Sequence, residues 1–322
     1  MDNIVIFSLS SSKQLTEEIV NILGVKQGEI AVTHFADGEI LVEPQQSVRG
    51  KHVFIIQSTC APVNDTIMEL LICLDACKRA SCKEVTCVIP YYGYARQDRK
   101  ARARQPITAR LVADLLQAAG ADRVVSVDLH APQIQGYFKI PSDNLTAVDM
   151  IGQYFRNKKL QDVVIVSPDH GGATRARNLA NSIPYSSIAI IDKRRSTPNV
   201  AEAMNLIGEV KGKDCIIIDD LVDTGGSLLG CVNMLKEHGA LDIYCAATHG
   251  VFSKDALQKI AGSGVKEFIV TNSIERSKEE LSKVPNVKVL SIALLLAKGI
   301  EAISCNKPIS NVYKLFHSDQ EE

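Results

Sequence analysis

The feature that most constrains this chain is an alternation of short β-branched runs with amphipathic segments along its 322 residues. The runs read "NIVIF" at 3–7, "HVFIIQS" at 52–58, "EVTCVIPYY" at 84–92, "RVVSVDL" at 123–129, "VVIVSPD" at 163–169, "SIAIIDK" at 187–193, "CIIIDD" at 215–220, "IYCAATHG" at 243–250 and "EFIVTNS" at 267–273. Between them lie patterns such as the one that sets Ile67, Leu70, Leu71, Leu74 and Cys77 at helical spacing. Near-continuous apolar strands that alternate with helices predict an α/β fold, its parallel sheets covered on both faces. The length exceeds what one hydrophobic core usually serves, so two similar domains are expected. The expected division is 1–147, 148–303, and a segment 304–322 that packs on the N-terminal domain.

Composition narrows the partners. A formal net charge of −1 and a pI near 6.7 give no global field for nucleic acid or an anionic membrane, and neither partner is expected. Anion binding must then be local. The nine cysteines are odd in number and lack a C-x-x-C among Cys73, Cys77, Cys82 and Cys87, as expected for buried thiols in a reducing cytoplasm. "MDNIVIF" enters a strand without the layout of a signal peptide. The late apolar run "VLSIALLLAKGIEAI" is interrupted by Lys298 and is too short to span a bilayer. A cytoplasmic location is the expectation.

In parallel sheets, ligands collect at the carboxyl ends of the strands. Polar chemistry recurs there: "DLH" at 128–130, "PDHGG" at 168–172, "DKRR" at 192–195 and "DDLVDTGG" at 219–226. The last is the richest. Thr224, Gly225, Gly226 and Ser227 precede a helical pattern that ends at Gly239, so the glycines can bare backbone N–H groups to a phosphate at a helix N-terminus. Asp219 and Asp220 would repel that phosphate and need another partner, either sugar hydroxyls or a magnesium ion. Capping of the helix by Asp223 and Thr224 is the plainer reading, but it explains neither Asp219 nor Asp220.

A second concentration of charge runs from Arg96 to Arg104, where Arg96, Arg99, Lys100, Arg102 and Arg104 face one acid, Asp98. Such a cluster suits a polyphosphate, or is a solvated surface run. No G-x-x-x-x-G-K-[ST] is present, and "GSGVKE" at 262–267 fails the last position of G-x-G-x-x-G.

"IIIDDLVDTGGS" resembles the phosphoribosyl-pyrophosphate signature shared by type I phosphoribosyltransferases and ribose-phosphate pyrophosphokinases. "HFADGEI" at 34–40, "PYYGYARQDRK" at 90–100, "DLHAPQIQGYF" at 128–138, "SPDHGGATRAR" at 167–177 and "NVAEAMNLIG" at 199–208 resemble the pyrophosphokinases alone. The chain is therefore identified as similar to class I ribose-phosphate pyrophosphokinases, nearly end to end. The resemblance implies a type I phosphoribosyltransferase-like fold in both domains. It also implies an enzyme that transfers the β,γ-pyrophosphoryl group of ATP to ribose 5-phosphate.

The resemblance further implies ATP contacts at Phe35, Asp37, Gly38, Glu39, Arg96 and Gln97. Ribose 5-phosphate would meet Arg195, Asp219, Asp220, Asp223, Thr224, Gly225, Gly226 and Ser227. The catalytic cations are Lys193 and Arg195. Mg2+, the implied cofactor, falls to His130 and Asp169, with Asp128 a weaker ligand and His170 unassigned. A homohexamer is implied as well.

Some positions depart from the family pattern. Lys139 stands where an acid is usual, His34 replaces a common basic residue, and "FSLSSSKQL" lacks the usual G-N-x-N turn. Pro308 stands in place of a common serine of the regulatory phosphate site, although Ser47, Arg49, Ser81, Arg104 and Ser310 still fit it. The retained Lys193, Arg195, His130 and "DDLVDTGG" weigh against a catalytically silent homologue, and the "FADGE" and "YARQDRK" motifs weigh against a phosphoribosyltransferase.

Overall fold

A computed structural model describes residues 3–158, 160–194 and 203–316. The chain divides into two units. The first comprises Met1–Thr146, Ser273–Glu275 and Ser291–Tyr313; the second comprises Ala147–Asn272, Arg276–Leu290 and Lys314–Glu322.

In the first unit, β1 (Ile4–Ser8) and α1 (Lys13–Leu23) lead into an antiparallel hairpin of β2 (Ile30–His34) and β3 (Ile40–Pro44). The chain then lays down β4 (His52–Ile56), β5 (Glu84–Ile89), β6 (Arg123–Val127) and β7 (Ser142–Leu145). With β1 they form a five-stranded, wholly parallel sheet in the order β1-β4-β5-β6-β7. The crossovers include α2 (Val63–Arg79) and α3 (Thr108–Ala118). Val5, Phe7, Val53, Ile55, Val85, Cys87 and Val124 share a core with Ile67, Leu70, Leu74 and Cys77 of α2 and with Val112 and Leu116 of α3. The residues between them, Ile6, Phe54, Ile56, Val88 and Val125, are buried too. A sheet buried on both faces is what the near-continuous apolar runs require. Each fully buried Ile or Phe contributes on the order of 1.5–3 kcal/mol.

The second unit runs α4 (Val148–Arg156), β8 (Val164–Ser167), α5 (Ala173–Ser182), β9 (Ser187–Arg194), β10 (Ala203–Ile207), β11 (Cys215–Val222) and α6 (Gly226–Glu237). It continues through β12 (Ile243–Gly250), α7 (Ala256–Ala261), β13 (Glu267–Thr271), α8 (Lys278–Ser282) and β14 (Val287–Leu290). Its seven strands lie in the order β10-β9-β8-β11-β12-β13-β14, parallel except for β10 at the edge. The second sheet is therefore mixed. Period-two alternation divides it cleanly: Val166, Ile217 and Cys245 face α6 through Cys231 and Leu235, while Ile165, Ile216 and Ala246 face α4 and α5 through Ile151, Phe155 and Leu179.

The strand order reverses once in this unit. From β8 the chain moves through α5 to β9 on one side, then returns through β10 to β11 on the other side of β8. The carboxyl ends of β8 and β11 thus flank a topological switch point, where chain segments diverge and leave a crevice.

After β14, α9 (Ala293–Ser304) and α10 (Ser310–Tyr313) rejoin the first unit. There α9 packs beside α1, and the Tyr313 hydroxyl donates to the Asn144 carbonyl at 3.0 Å. A 3-10 turn, Lys314–Phe316, belongs to the second unit, where Arg156 Nη2 donates to the Phe316 carbonyl at 2.9 Å.

All nine cysteines are free thiols, and all but Cys82 and Cys305 are buried. Burial pushes the Cys215 thiol up to about 12, so it stays protonated and behaves as a small apolar side chain. Among the described residues, no helix is long and apolar enough to cross a membrane.

Candidate functional site

The switch point of the second unit gathers the polar ends of its central strands. Cys215 to Ile218 are fully buried and hold β11 between β8 and β12, so the strand delivers Asp219 and Asp220 to the carboxyl edge. The two acids meet one cation. Arg175, from the first turn of α5, places Nη1 3.1 Å from Asp219 Oδ1 and Nη2 3.4 Å from Asp220 Oδ1. The Asp220 N–H also donates to Asp219 Oδ1 at 2.9 Å. Burial, and then the neighbouring Asp220 charge, push the Asp219 carboxyl up to about 7, with Arg175 acting in the opposite direction. Sequence reasoning missed Arg175. Its signal was an arginine three residues beyond the "GG" of "DHGGATR", on the helix that follows the neighbouring strand.

Beyond Asp220 the strand continues to Val222, and the chain then turns at Asp223 and Thr224. Gly225 adopts φ +75°, in the left-handed region, where any other residue is strained, and α6 begins at Gly226. The helix N-cap is Gly225 and carries no side-chain cap bond. The N–H groups of the first turn of α6 lack intrahelical partners, and Thr224, Gly226 and Ser227 are exposed around them. The turn is braced by the segment just after β12: the Asp223 carbonyl accepts the Ser253 N–H at 3.0 Å, and the Val222 carbonyl accepts those of Val251 and Phe252.

The neighbouring loop after β8 is tight. Asp169 Oδ1 accepts the Gly172 N–H at 2.9 Å, and its carbonyl accepts the Ser167 hydroxyl at 2.6 Å. A Cβ at position 172 would meet Ser167 Oγ at 2.8 Å, so this approach needs glycine. His170 Nε2 lies 3.0 Å from Asp192 Oδ1 of β9. One residue on, Lys193 pairs with Met204 across the β9–β10 ladder. Arg195 lies outside the described residues.

The remaining expected contacts lie in the first unit. Phe35 stands 49% exposed at the tip of the β2–β3 hairpin, where its N–H donates to the Glu39 carbonyl at 2.8 Å. Gly38 takes φ +96°, and Asp37 Oδ1 accepts the Glu39 N–H at 3.1 Å. Arg96 and Gln97 are exposed in the loop after β5, and Gln97 Oε1 accepts the Thr108 hydroxyl at 2.5 Å. Asp98, the one acid of the basic cluster, points inward. It is 8% exposed, its carboxylate accepts Gln133 Nε2 at 3.1 Å, and its carbonyl accepts the Tyr137 hydroxyl. The cluster therefore presents Arg99, Lys100, Arg102 and Arg104 on the surface without that carboxylate among them. His130 is exposed just past β6, following Asp128 at φ +41°. Among the described residues, no three His, Cys, Asp or Glu side chains come together as a ready metal cage.

Residues 4–120 match the family model described as the N-terminal domain of ribose phosphate pyrophosphokinase, and residues 181–314 match the phosphoribosyl synthetase-associated domain. The chain is 52% identical over 311 residues to the ribose-phosphate pyrophosphokinase of Bacillus subtilis, covering 97% of each. It is 53% identical over 309 residues to that of Caldanaerobacter subterraneus, covering 96% of this chain and 97% of the relative. Its fold is similar to the phosphoribosylpyrophosphate synthetase of Mycobacterium smegmatis, with a TM-score of 0.90 and 44% identity, over 94% of this chain and 99% of that one.

Proposed function

The chain belongs to the ribose-phosphate pyrophosphokinase family, and from that premise we propose how its residues make 5-phosphoribosyl 1-pyrophosphate and AMP from ATP and ribose 5-phosphate. One observation carries the reading. At a topological switch point, paired carboxylates stand beside a helix N-terminus that begins at a left-handed glycine. A phosphorylated sugar has both complements, an anion for the N–H groups and hydroxyls for the acids.

In this assignment the 5-phosphate lies against Thr224, Gly225, Gly226 and Ser227. Asp219, Asp220 and Asp223 accept the ribose hydroxyls, and Arg195 meets the substrate from the β9–β10 connection. ATP falls to the first unit's motifs, with adenine stacked on Phe35, its polar edge met by Asp37, Gly38 and Glu39, and its remaining contacts at Arg96 and Gln97. The C1 hydroxyl attacks the β-phosphorus and releases its proton to water, the bond to the AMP oxygen breaks, and charge builds on the phosphoryl oxygens. Lys193 and Arg195 supply preorganised positive charge for that distribution.

Mg2+ is assigned to His130 and Asp169 on the family resemblance alone, and an ion that prefers oxygen would draw only a sparse shell from the protein. His130 is exposed, and Asp169 engages one carboxylate oxygen in its own loop. An ion so held would take its remaining oxygens from water and phosphate and would neutralise charge on the polyphosphate. A cytoplasmic homohexamer completes the proposal, and the exposed Leu111 and Leu115, one turn apart on α3, offer apolar surface for self-association.

The deciding assay supplies ATP, ribose 5-phosphate and Mg2+ and follows AMP. Formation of AMP that depends on ribose 5-phosphate is expected. ATP cleavage indifferent to the sugar, or none, overturns the reading.

A further inference from the structure

Asp219 and Asp220 are adjacent on a strand, where successive side chains project to opposite faces. Both nevertheless engage one guanidinium, Asp219 through Nη1 and Asp220 through Nη2. Two neighbouring carboxylates repel each other, and partial burial raises the cost: the side chains of Asp219 and Asp220 are 32% and 5% exposed. A cation between them removes that conflict and fixes where each carboxylate points.

Arg175 is built to do this. It is 17% exposed and stands on a helix anchored through Ala176 and Leu179, both fully buried. Arginine suits the task as lysine would not, because its planar fork engages two acceptors at once in a fixed geometry. The contacts reach the Oδ1 atom of each acid from the α5 side.

We propose that Arg175 is the positioning residue of the sugar site, clamping Asp219 and Asp220 side by side so that both present acceptors to the ribose hydroxyls. The inference rests on the assignment of ribose 5-phosphate to this loop. Arg175 does not touch the reacting atoms. Its effect is on sugar affinity, and the nucleotide's motifs, which lie in the other unit, are independent of it.

The test compares Arg175→Met, Arg175→Lys and Arg177→Met in the full-length chain. Titration calorimetry gives the ribose 5-phosphate Kd without turnover, and steady-state kinetics give KM for each substrate. Freeing the pair forfeits charge-assisted bonds, so Arg175→Met should raise the ribose 5-phosphate Kd and KM about 10- to 100-fold. The ATP KM should stay within about threefold. Arg175→Lys keeps the charge but loses the fork, and should still raise the Kd about fivefold or more. It carries the test if the methionine variant does not fold. Arg177→Met, an exposed arginine two residues along α5, should behave as the unmodified enzyme. A ribose 5-phosphate Kd within threefold of the unmodified value in both Arg175 variants overturns the proposal, and so does a parallel rise in the ATP KM. Failure of the unmodified protein to form AMP while it binds ribose 5-phosphate would sink the enzymatic reading alone; failure to bind the sugar would sink both.

Discussion

The Glu69 carboxylate, on α2, takes both hydrogen bonds of Ser10: the Ser10 N–H at 2.7 Å and its hydroxyl at 2.5 Å. Glu69 is 1% exposed, and the turn it holds is the one after β1, where the "SLSSS" sequence lacks the family's usual G-N-x-N. Beside it, Gln57 Oε1 accepts the Ser11 N–H and hydroxyl, and the Ser58 N–H donates to Ser12 Oγ. Side-chain acceptors from α2 and the end of β4 thus take up the polar groups of this turn.

Glu69→Ala should therefore be costly through the donors it strands. Two charge-assisted bonds disappear and a part-buried N–H loses its acceptor, for a loss of about 3–5 kcal/mol. Denaturant unfolding of the two proteins measures it. A difference under about 1 kcal/mol would mean that water replaces the carboxylate.

Gly225→Ala probes the backbone alone, since nothing lies within 4 Å of a Cβ placed there. The cost is the left-handed φ, about 1–2 kcal/mol of stability. If the glycine serves the phosphate, the ribose 5-phosphate KM should also rise at least several-fold with the ATP KM unchanged. A stability loss with an unaltered sugar KM would separate the turn from the site.

Asp219 sets a pH dependence. Its folded value of about 7 lies above the ordinary 3.8, so the folded state holds this proton more tightly than the unfolded chain. The stability that proton gives is fully present below about pH 4 and is lost as pH rises through about 7. Asp219→Asn cannot lose it, and its unfolding midpoint should gain on the native one between about pH 4 and pH 8. Parallel pH profiles would show that Arg175 and solvent already hold the carboxylate ionised.

Lys193→Ala should lower kcat about 10²–10³-fold with little change in either KM, because a preorganised cation that meets charge only in the transition state is worth ~3–4 kcal/mol. The measurement is kcat at saturation with both substrates. A near-normal kcat would return "DKRR" to an ordinary solvated loop.

If only the sugar meets this loop, Asp223→Asn should raise the ribose 5-phosphate KM about tenfold and leave the ATP KM within about threefold. An equal rise in both would count against dividing the substrates between the two sets of motifs.

Wherever burial is two-sided, the architecture was legible in the apolar pattern of the chain. The runs in β1, β4, β5, β6, β8, β9, β11, β12 and β13 are apolar enough to read as strands, and the helical spacing of Ile67, Leu70, Leu74 and Cys77 is α2. The sequence also marked the "DDLVDTGG" loop, because acids and glycines at the end of a buried strand have no packing explanation. It did not reveal β2, β3, β7, β10 or β14. These are edge or hairpin strands, and one-sided or partial burial leaves no continuous apolar run, as in the half-exposed Ile30–His34.

The rest depended on contacts between segments distant in the chain. Only folding sets Arg175 beside Asp219, 44 residues away in the chain, and turns Asp98 out of the basic cluster toward Gln133. Only the strand order places β8 against β11 and so makes a switch point of their ends. Which unit takes Ser291–Tyr313 was also settled by such contacts. The physical reason is the same in each case. Periodicity along a chain reports how each segment meets an apolar core, whereas the pairing of one charge or one strand with another depends on chain closure over distances that no local pattern encodes.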